Sequence, residues 1–179
     1  MRLVLAAATL AALCATPALG ALKNGDKAPD FTADGFQAGK PLKFSLADAR
    51  KKGPVVLYFF PAADTAGCNL EAKMFADAMP QFAASGATVI GVTAGKLDKL
   101  QQISSDTDKC SGKFPVAADP GAKIAKQYDS VLAAKPDWSD RTSYVIAPNG
   151  TVLHTYSKMD PTEHVSQTLA AVKEFKTKK

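Results

Sequence analysis

Cys68 stands where an apolar run, residues 54–60 (PVVLYFF), gives way after Pro61 to apolar residues at helical spacing. The first turn of a helix leaves backbone N–H groups unpaired, and its dipole favours an anion. A thiol placed there is biased towards the thiolate, the nucleophilic and redox-active form. Thr65 precedes Cys68 by three residues, a spacing that can bring its hydroxyl to the sulfur on one face. Pro61 closes the strand without an N–H in need of a partner, and Gly67 lets the backbone pass close to the sulfur. A lone cysteine is as readily a small buried hydrophobe. The helix start, the preceding hydroxyl and the proline together favour the reactive reading.

The remaining chemistry-bearing residues are sparse. Cys110 follows in the polar stretch SSDTDKCSGK, 42 residues downstream. No C-x-x-C occurs, and the two cysteines with His154 and His164 lack zinc-ligand spacing, so neither a metal nor a dithiol motif is expected. Both histidines read as ordinary surface or half-buried residues. The formal net charge of +5 comes from scattered lysines and a basic tail, with no basic stripe interleaved by aromatics, which speaks against nucleic-acid binding.

The first twenty residues read separately. Arg2, an uncharged apolar run over 3–15, and Ala18-Leu19-Gly20 before Ala21 have the anatomy of a secretory signal peptide. The run is too short to span a bilayer comfortably, so no stable membrane association is expected. Leu13 ahead of Cys14 argues against a lipoprotein site. The expectation is a leader over 1–20, a single domain over 21–179, and a location outside the cytoplasm, periplasmic or secreted.

Several elements must position Cys68. Residues 23–44 suggest an irregular or hairpin-bearing start, and Ser45-Leu46-Ala47-Asp48 has capping-box spacing for a short helix. The run 54–60 predicts a strand buried on both faces, and 69–84 a helix that Pro80 should bend or interrupt. Strand 88–93, helix 97–104, strand 114–118 and a helical turn at 123–128 follow. Pro148-Asn149-Gly150 between 142–147 and 151–156 predicts a hairpin. Asp160-Pro161-Thr162-Glu163 then predicts an N-cap at Asp160 and a last helix with Val165, Leu169, Val172 and Phe175 on one face. Trp138 is expected to pack the loop ahead of Arg141. The alternation β-α-β-α-β-α followed by a hairpin and a helix implies an α/β fold with a mixed central sheet flanked by helices.

Pro61-Ala62-Ala63-Asp64-Thr65-Ala66-Gly67-Cys68 resembles the P-x-x-x-[TS]-x-x-C signature of peroxiredoxins. YFFPAADTAGCNLEA, NGDKAPDF, FPVAADP and DRTSYVIAPNG extend the resemblance over nearly the whole chain after residue 20, towards the branch called peroxiredoxin Q or bacterioferritin comigratory protein. The resemblance implies a thioredoxin-like fold with an N-terminal extension, and thiol peroxidase activity without metal or organic cofactor. Its substrates would be hydrogen peroxide and organic hydroperoxides. It makes Cys68 the peroxidatic cysteine, puts the Thr65 hydroxyl on the thiolate and the peroxide, lets Pro61 shield the centre, and places Arg141 beside the sulfur. Glu71 matches a glutamate common in the branch. Where many members carry a second cysteine five residues after the first, this chain has Lys73. Cys110 then becomes the resolving candidate, forming an intramolecular disulfide with Cys68. The resemblance further implies a monomer, and the expected location outside the cytoplasm implies an exported thiol reductant, thioredoxin-like or a small thiol. Two other functions stay open: a thiol–disulfide oxidoreductase of the same broad fold, and a non-catalytic binding module.

Overall fold

The computed structural model describes residues 20–178; the expected leader, but for Gly20, lies outside the described residues. Strand β3 (Val55–Phe59) is buried throughout, and its period-two alternation feeds two separate cores. Val56, Tyr58 and Phe60 face one side with Phe75, Phe82, Phe114, Cys68 and Cys110. Val55, Leu57 and Phe59 face the other with Ile90, Val92, Tyr128 and Tyr144. A strand sandwiched in this way can be apolar at every position, which is why the run 54–60 is legible as sequence.

Around β3 the sheet is mixed. The hairpin β1 (Thr32–Gln37) and β2 (Lys40–Ser45) forms one edge. The strands β4 (Thr88–Thr93) and β5 (Val116–Ala118) run parallel to β3; on its other side β8 (Thr142–Ile146) runs antiparallel to β3, and β9 (Val152–Ser157) antiparallel to β8. Among the described residues the sheet order is β2-β1-β5-β4-β3-β8-β9. The helices are α1 (Leu46–Arg50), α2 (Ala66–Ala84), α3 (Leu100–Ser105), which a 3-10 turn Leu97–Lys99 leads into, α4 (Lys123–Gln127) and α5 (His164–Thr177). Helices α2 and α5 pack on each other over the Tyr58 side. This is the expected thioredoxin-like α/β architecture, with residues 20–31 laid along the start of β9 through Gly25 N–H to Val152 O at 2.8 Å and Ala28 N–H to Gly150 O at 2.9 Å. No helix among the described residues is long and apolar enough to cross a membrane.

Local expectations hold where a side chain settles the backbone. Ser45 caps α1, its hydroxyl accepting from Asp48 N–H at 3.2 Å. Gly150 takes the positive φ of 83° in the β8–β9 turn. An interruption at Pro80 and a helix start beside Asp160 are not found, and one element is new. Helix α2 runs through Pro80. The Ala76 carbonyl, which proline cannot bond, instead accepts from Lys113 Nζ at 3.0 Å, so the missing donor comes from 37 residues away. Helix α5 begins at His164, not beside Asp160. The Asp160 carboxylate is spent on Thr162, accepting from its N–H at 2.9 Å and its hydroxyl at 2.7 Å. A two-stranded sheet, β6 (Val131–Leu132) with β7 (Lys135–Ser139), was also not anticipated; its largely exposed residues show no apolar alternation to reveal it.

Candidate active site

The register of β3 against β8 builds the site. Phe59 at the end of β3 pairs with Thr142 at the start of β8. Arg141, one residue before β8, therefore lies beside the turn that leads from β3 into α2. Ser139 pins that junction, donating from Oγ to Phe60 O at 2.8 Å. Ala63 N–H reaches Gly95 O at 3.1 Å from the same turn. A Cβ on Gly95 would sit 2.4 Å from the Pro61 carbonyl and 3.1 Å from the Trp138 ring, so glycine is required where β7, Pro61 and the end of β4 converge. Trp138 thus packs the segment that delivers Arg141, as expected.

Cys68 is the third residue of α2, after Thr65 at the N-cap, and only 4% exposed. Arg141 Nη2 approaches its sulfur at 3.4 Å. The guanidinium is held on all sides: Nε donates to Met159 O at 2.9 Å, and Nη1 to Glu71 Oε2, one turn along α2 from the cysteine. Asp140, the neighbouring carboxylate, is taken by the Thr142 hydroxyl at 2.8 Å. Gly67 leaves room for this arrangement, since a Cβ there would lie 3.3 Å from Arg141 Nη2. A fixed planar cation 3.4 Å from sulfur, at a helix N-terminus, sets positive charge where negative charge would develop in front of the sulfur.

Thr65 departs from expectation. Its hydroxyl donates to the Ala62 carbonyl at 3.2 Å and not to Cys68. Cys110 is not at the site surface. It is fully buried in the same core as Cys68 with Phe114, Leu100 and Ile103, and both cysteines are free thiols. The polar stretch around Cys110 suggested few apolar contacts, but the sulfur itself points inward. Burial pushes its thiol up to about 12, with Asp106 adding to the effect.

His164 was read as a surface or half-buried residue, yet it is fully buried. Its Nδ1 lies 2.8 Å from Ser143 Oγ and 3.6 Å from Glu71 Oε1. The available signal was its spacing: His164, Thr168 and Val172 recur every fourth residue on the apolar face of α5. Ser143 and the Met159 carbonyl carried no signal.

Residues 24–155 match the model of the AhpC/TSA family. The chain belongs to that family of peroxiredoxins. The chloroplastic peroxiredoxin Q of Arabidopsis thaliana is 34% identical over 156 residues, covering 85% of this chain and 68% of that protein. The chloroplastic peroxiredoxin Q of Oryza sativa subsp. japonica is 30% identical over 151 residues, and the match spans 84% of this chain but 66% of the rice protein's own length. Among solved structures, the peroxidoxin BcpB of Mycobacterium tuberculosis superposes with a TM-score of 0.72 at 29% identity, covering 86% of this chain and 97% of that one. A reduced 2-Cys peroxiredoxin of Plasmodium vivax shares the fold at a TM-score of 0.76 and 19% identity, covering 87% of this chain and 97% of that one.

Proposed function

We propose that the protein is an exported thiol-dependent peroxidase that reduces hydrogen peroxide and organic hydroperoxides through Cys68, with Cys110 as the resolving thiol. The observation that carries this reading is Arg141 Nη2 at 3.4 Å from the Cys68 sulfur at the start of α2. The thiolate attacks the terminal oxygen of the hydroperoxide, forming an S–O bond as the O–O bond breaks. The bonding pair leaves on the distal oxygen, which takes a proton from water to become an alcohol or water. Sulfur is oxidised by two electrons to the sulfenic acid. Arg141 stabilises the charge that builds on the departing oxygen.

Resolution follows when Cys110 attacks the sulfenic sulfur, forming the disulfide and releasing water. A buried thiol pushed to about 12 is a poor nucleophile, so the segment carrying it must first open. Lys109 Nζ ties that segment down, bridging Asp64 at 3.0 Å and Asp106 at 3.1 Å. Asp64 lies in the turn ahead of Cys68, so one cation clamps both cysteine segments. An exported dithiol protein or small thiol then returns the pair to the reduced state. A mature N-terminus at Ala21, read by mass spectrometry of the exported protein, tests the leader.

One equivalent of hydroperoxide consumed in a fast phase by the reduced protein, followed by a linked Cys68–Cys110 peptide in a digest, is the expected outcome. A protein that reacts only with disulfide substrates would instead be an oxidoreductase. Lys109→Met should speed disulfide formation about threefold, the value of weakening partly exposed ion pairs worth up to about 1 kcal/mol each. Fluorescence-monitored resolution after a peroxide pulse measures it, and an unchanged rate would remove the clamp from the cycle.

A further inference from the structure

Behind Arg141 lies a sealed cluster that a thiolate and a guanidinium do not by themselves require: Glu71, His164 and Ser143, all fully buried. Chemistry sets the direction of its contacts. The Lys158 carbonyl can only accept, so His164 Nε2, 2.9 Å away, carries the ring proton. Burial holds the ring neutral, its pKa pushed down to about 4, which leaves a lone pair on Nδ1 facing the Ser143 hydroxyl. Glu71 Oε1 faces the same lone pair at 3.6 Å. It has no hydrogen-bond partner among the described residues, whereas Oε2 is held by Arg141. An ionised Glu71 would aim an uncompensated oxygen at another acceptor inside the core.

Arg141 therefore has two claimants, Cys68 Sγ at Nη2 and Glu71 Oε2 at Nη1. One cation cannot balance two buried anions, so one claimant keeps its proton. We propose that Glu71 is that claimant: a neutral carboxylic acid with its proton on Oε1 towards His164, it orients Arg141 while leaving the full guanidinium charge to the Cys68 thiolate. Glu71 is a positioning residue and its proton is a switch on the arginine. The inference rests on the peroxidase reading of Cys68 and extends it to what governs the arginine.

The switch has a defined sense. Burial raises the Glu71 carboxyl to about 8 against the pull of Arg141. The charged and titratable groups around it are Cys68 on its own helix, Arg141 before β8, His164 on α5, Tyr58 on β3 and, acting on His164 and Arg141, Asp160. His164 stays neutral above about 4, Tyr58 is raised beyond the ordinary phenol range, Asp160 is held ionised by Thr162, and Arg141 stays charged. Above about pH 8 Glu71 sheds its proton and claims Arg141, so the reaction of Cys68 with peroxide slows.

Infrared spectra of the reduced protein with 13C-labelled glutamate test the proton directly. A carboxylic acid C=O band should be present at pH 7, absent in Glu71→Gln, and lost from the wild type by pH 9.5. In stopped-flow first turnovers, Glu71→Ala frees the guanidinium and should slow oxidation about tenfold, while Glu71→Gln recovers it to within about threefold at pH 7. Between pH 7 and 9.5 the wild-type rate should fall about fivefold and the Gln variant should not. An ionised Glu71 at pH 7 in the unsubstituted protein, or a Gln variant as slow as Ala, overturns the proposal. An intact acid band in a protein inert to peroxide would place the proton as proposed and sink the peroxidase reading instead.

Discussion

Reduced protein carrying Cys68→Ser is expected to leave an equimolar dose of hydrogen peroxide untouched, a loss of at least about 10³-fold in rate against the wild type. A serine hydroxyl beside Arg141 keeps its proton and lacks the polarisable lone pair that attacks the O–O bond. Cys110 cannot substitute. With no exposure and a thiol pushed up to about 12, it presents about one thiolate in 10⁵ at pH 7, and that one faces the core. Cys110→Ser should behave in the opposite way: the first equivalent is consumed, and the stranded sulfenic acid then climbs to sulfinic acid under excess peroxide. Peroxide-electrode traces with intact-mass readings separate the two. Rapid consumption by Cys68→Ser would show that another group is the nucleophile and end the present account.

Arg141→Met should slow peroxide oxidation by about 10² to 10³, the effect of removing one preorganised donor worth about 3–4 kcal/mol to a developing oxyanion. Methionine fills much of the same volume, so the change removes charge and three hydrogen bonds, to Met159 O, Glu71 and Cys68, without opening a large void. Stranding a buried carboxylate ordinarily costs about 3–5 kcal/mol. Glu71 already carries its proton at pH 7, so a smaller loss, about 2 kcal/mol, is expected in urea unfolding at that pH. Arg141→Lys should rescue little of the rate, because an ammonium cannot serve three acceptors in a plane at once. A variant oxidised at the wild-type rate would mean that the guanidinium near the sulfur has no part in the chemistry.

The two cysteines differ in how plainly the chain announces them. Cys68 is legible because everything that positions it is local: the buried run before it, Pro61, Thr65 at the cap and the helical spacing after it lie within about twenty consecutive residues. Arg141 was reachable only by resemblance, since nothing in DRTSYV distinguishes it from a surface cation. What brings it to the sulfur is the pairing of Phe59 with Thr142, a contact across 83 residues. Sequence also anticipated β3, β4, α1 and the β8–β9 hairpin, where apolar alternation and turn residues act over short range. It missed the uninterrupted α2, because Lys113 repairs the bond that Pro80 removes. It missed the direction of the Thr65 hydroxyl, because a side-chain rotamer answers to the nearest acceptor in space.

By itself, then, the sequence determined the class of fold, the candidate thiol and the helix start that holds it, since strand periodicity, capping and backbone punctuation are short-range effects written in neighbouring residues. Only the tertiary structure decided that His164 is buried, that Glu71 shares the arginine with Cys68, and that Cys110 is locked in the core under Lys109. Those outcomes depend on desolvation and on charges meeting across distant elements. Both are properties of the folded interior that no stretch of chain contains.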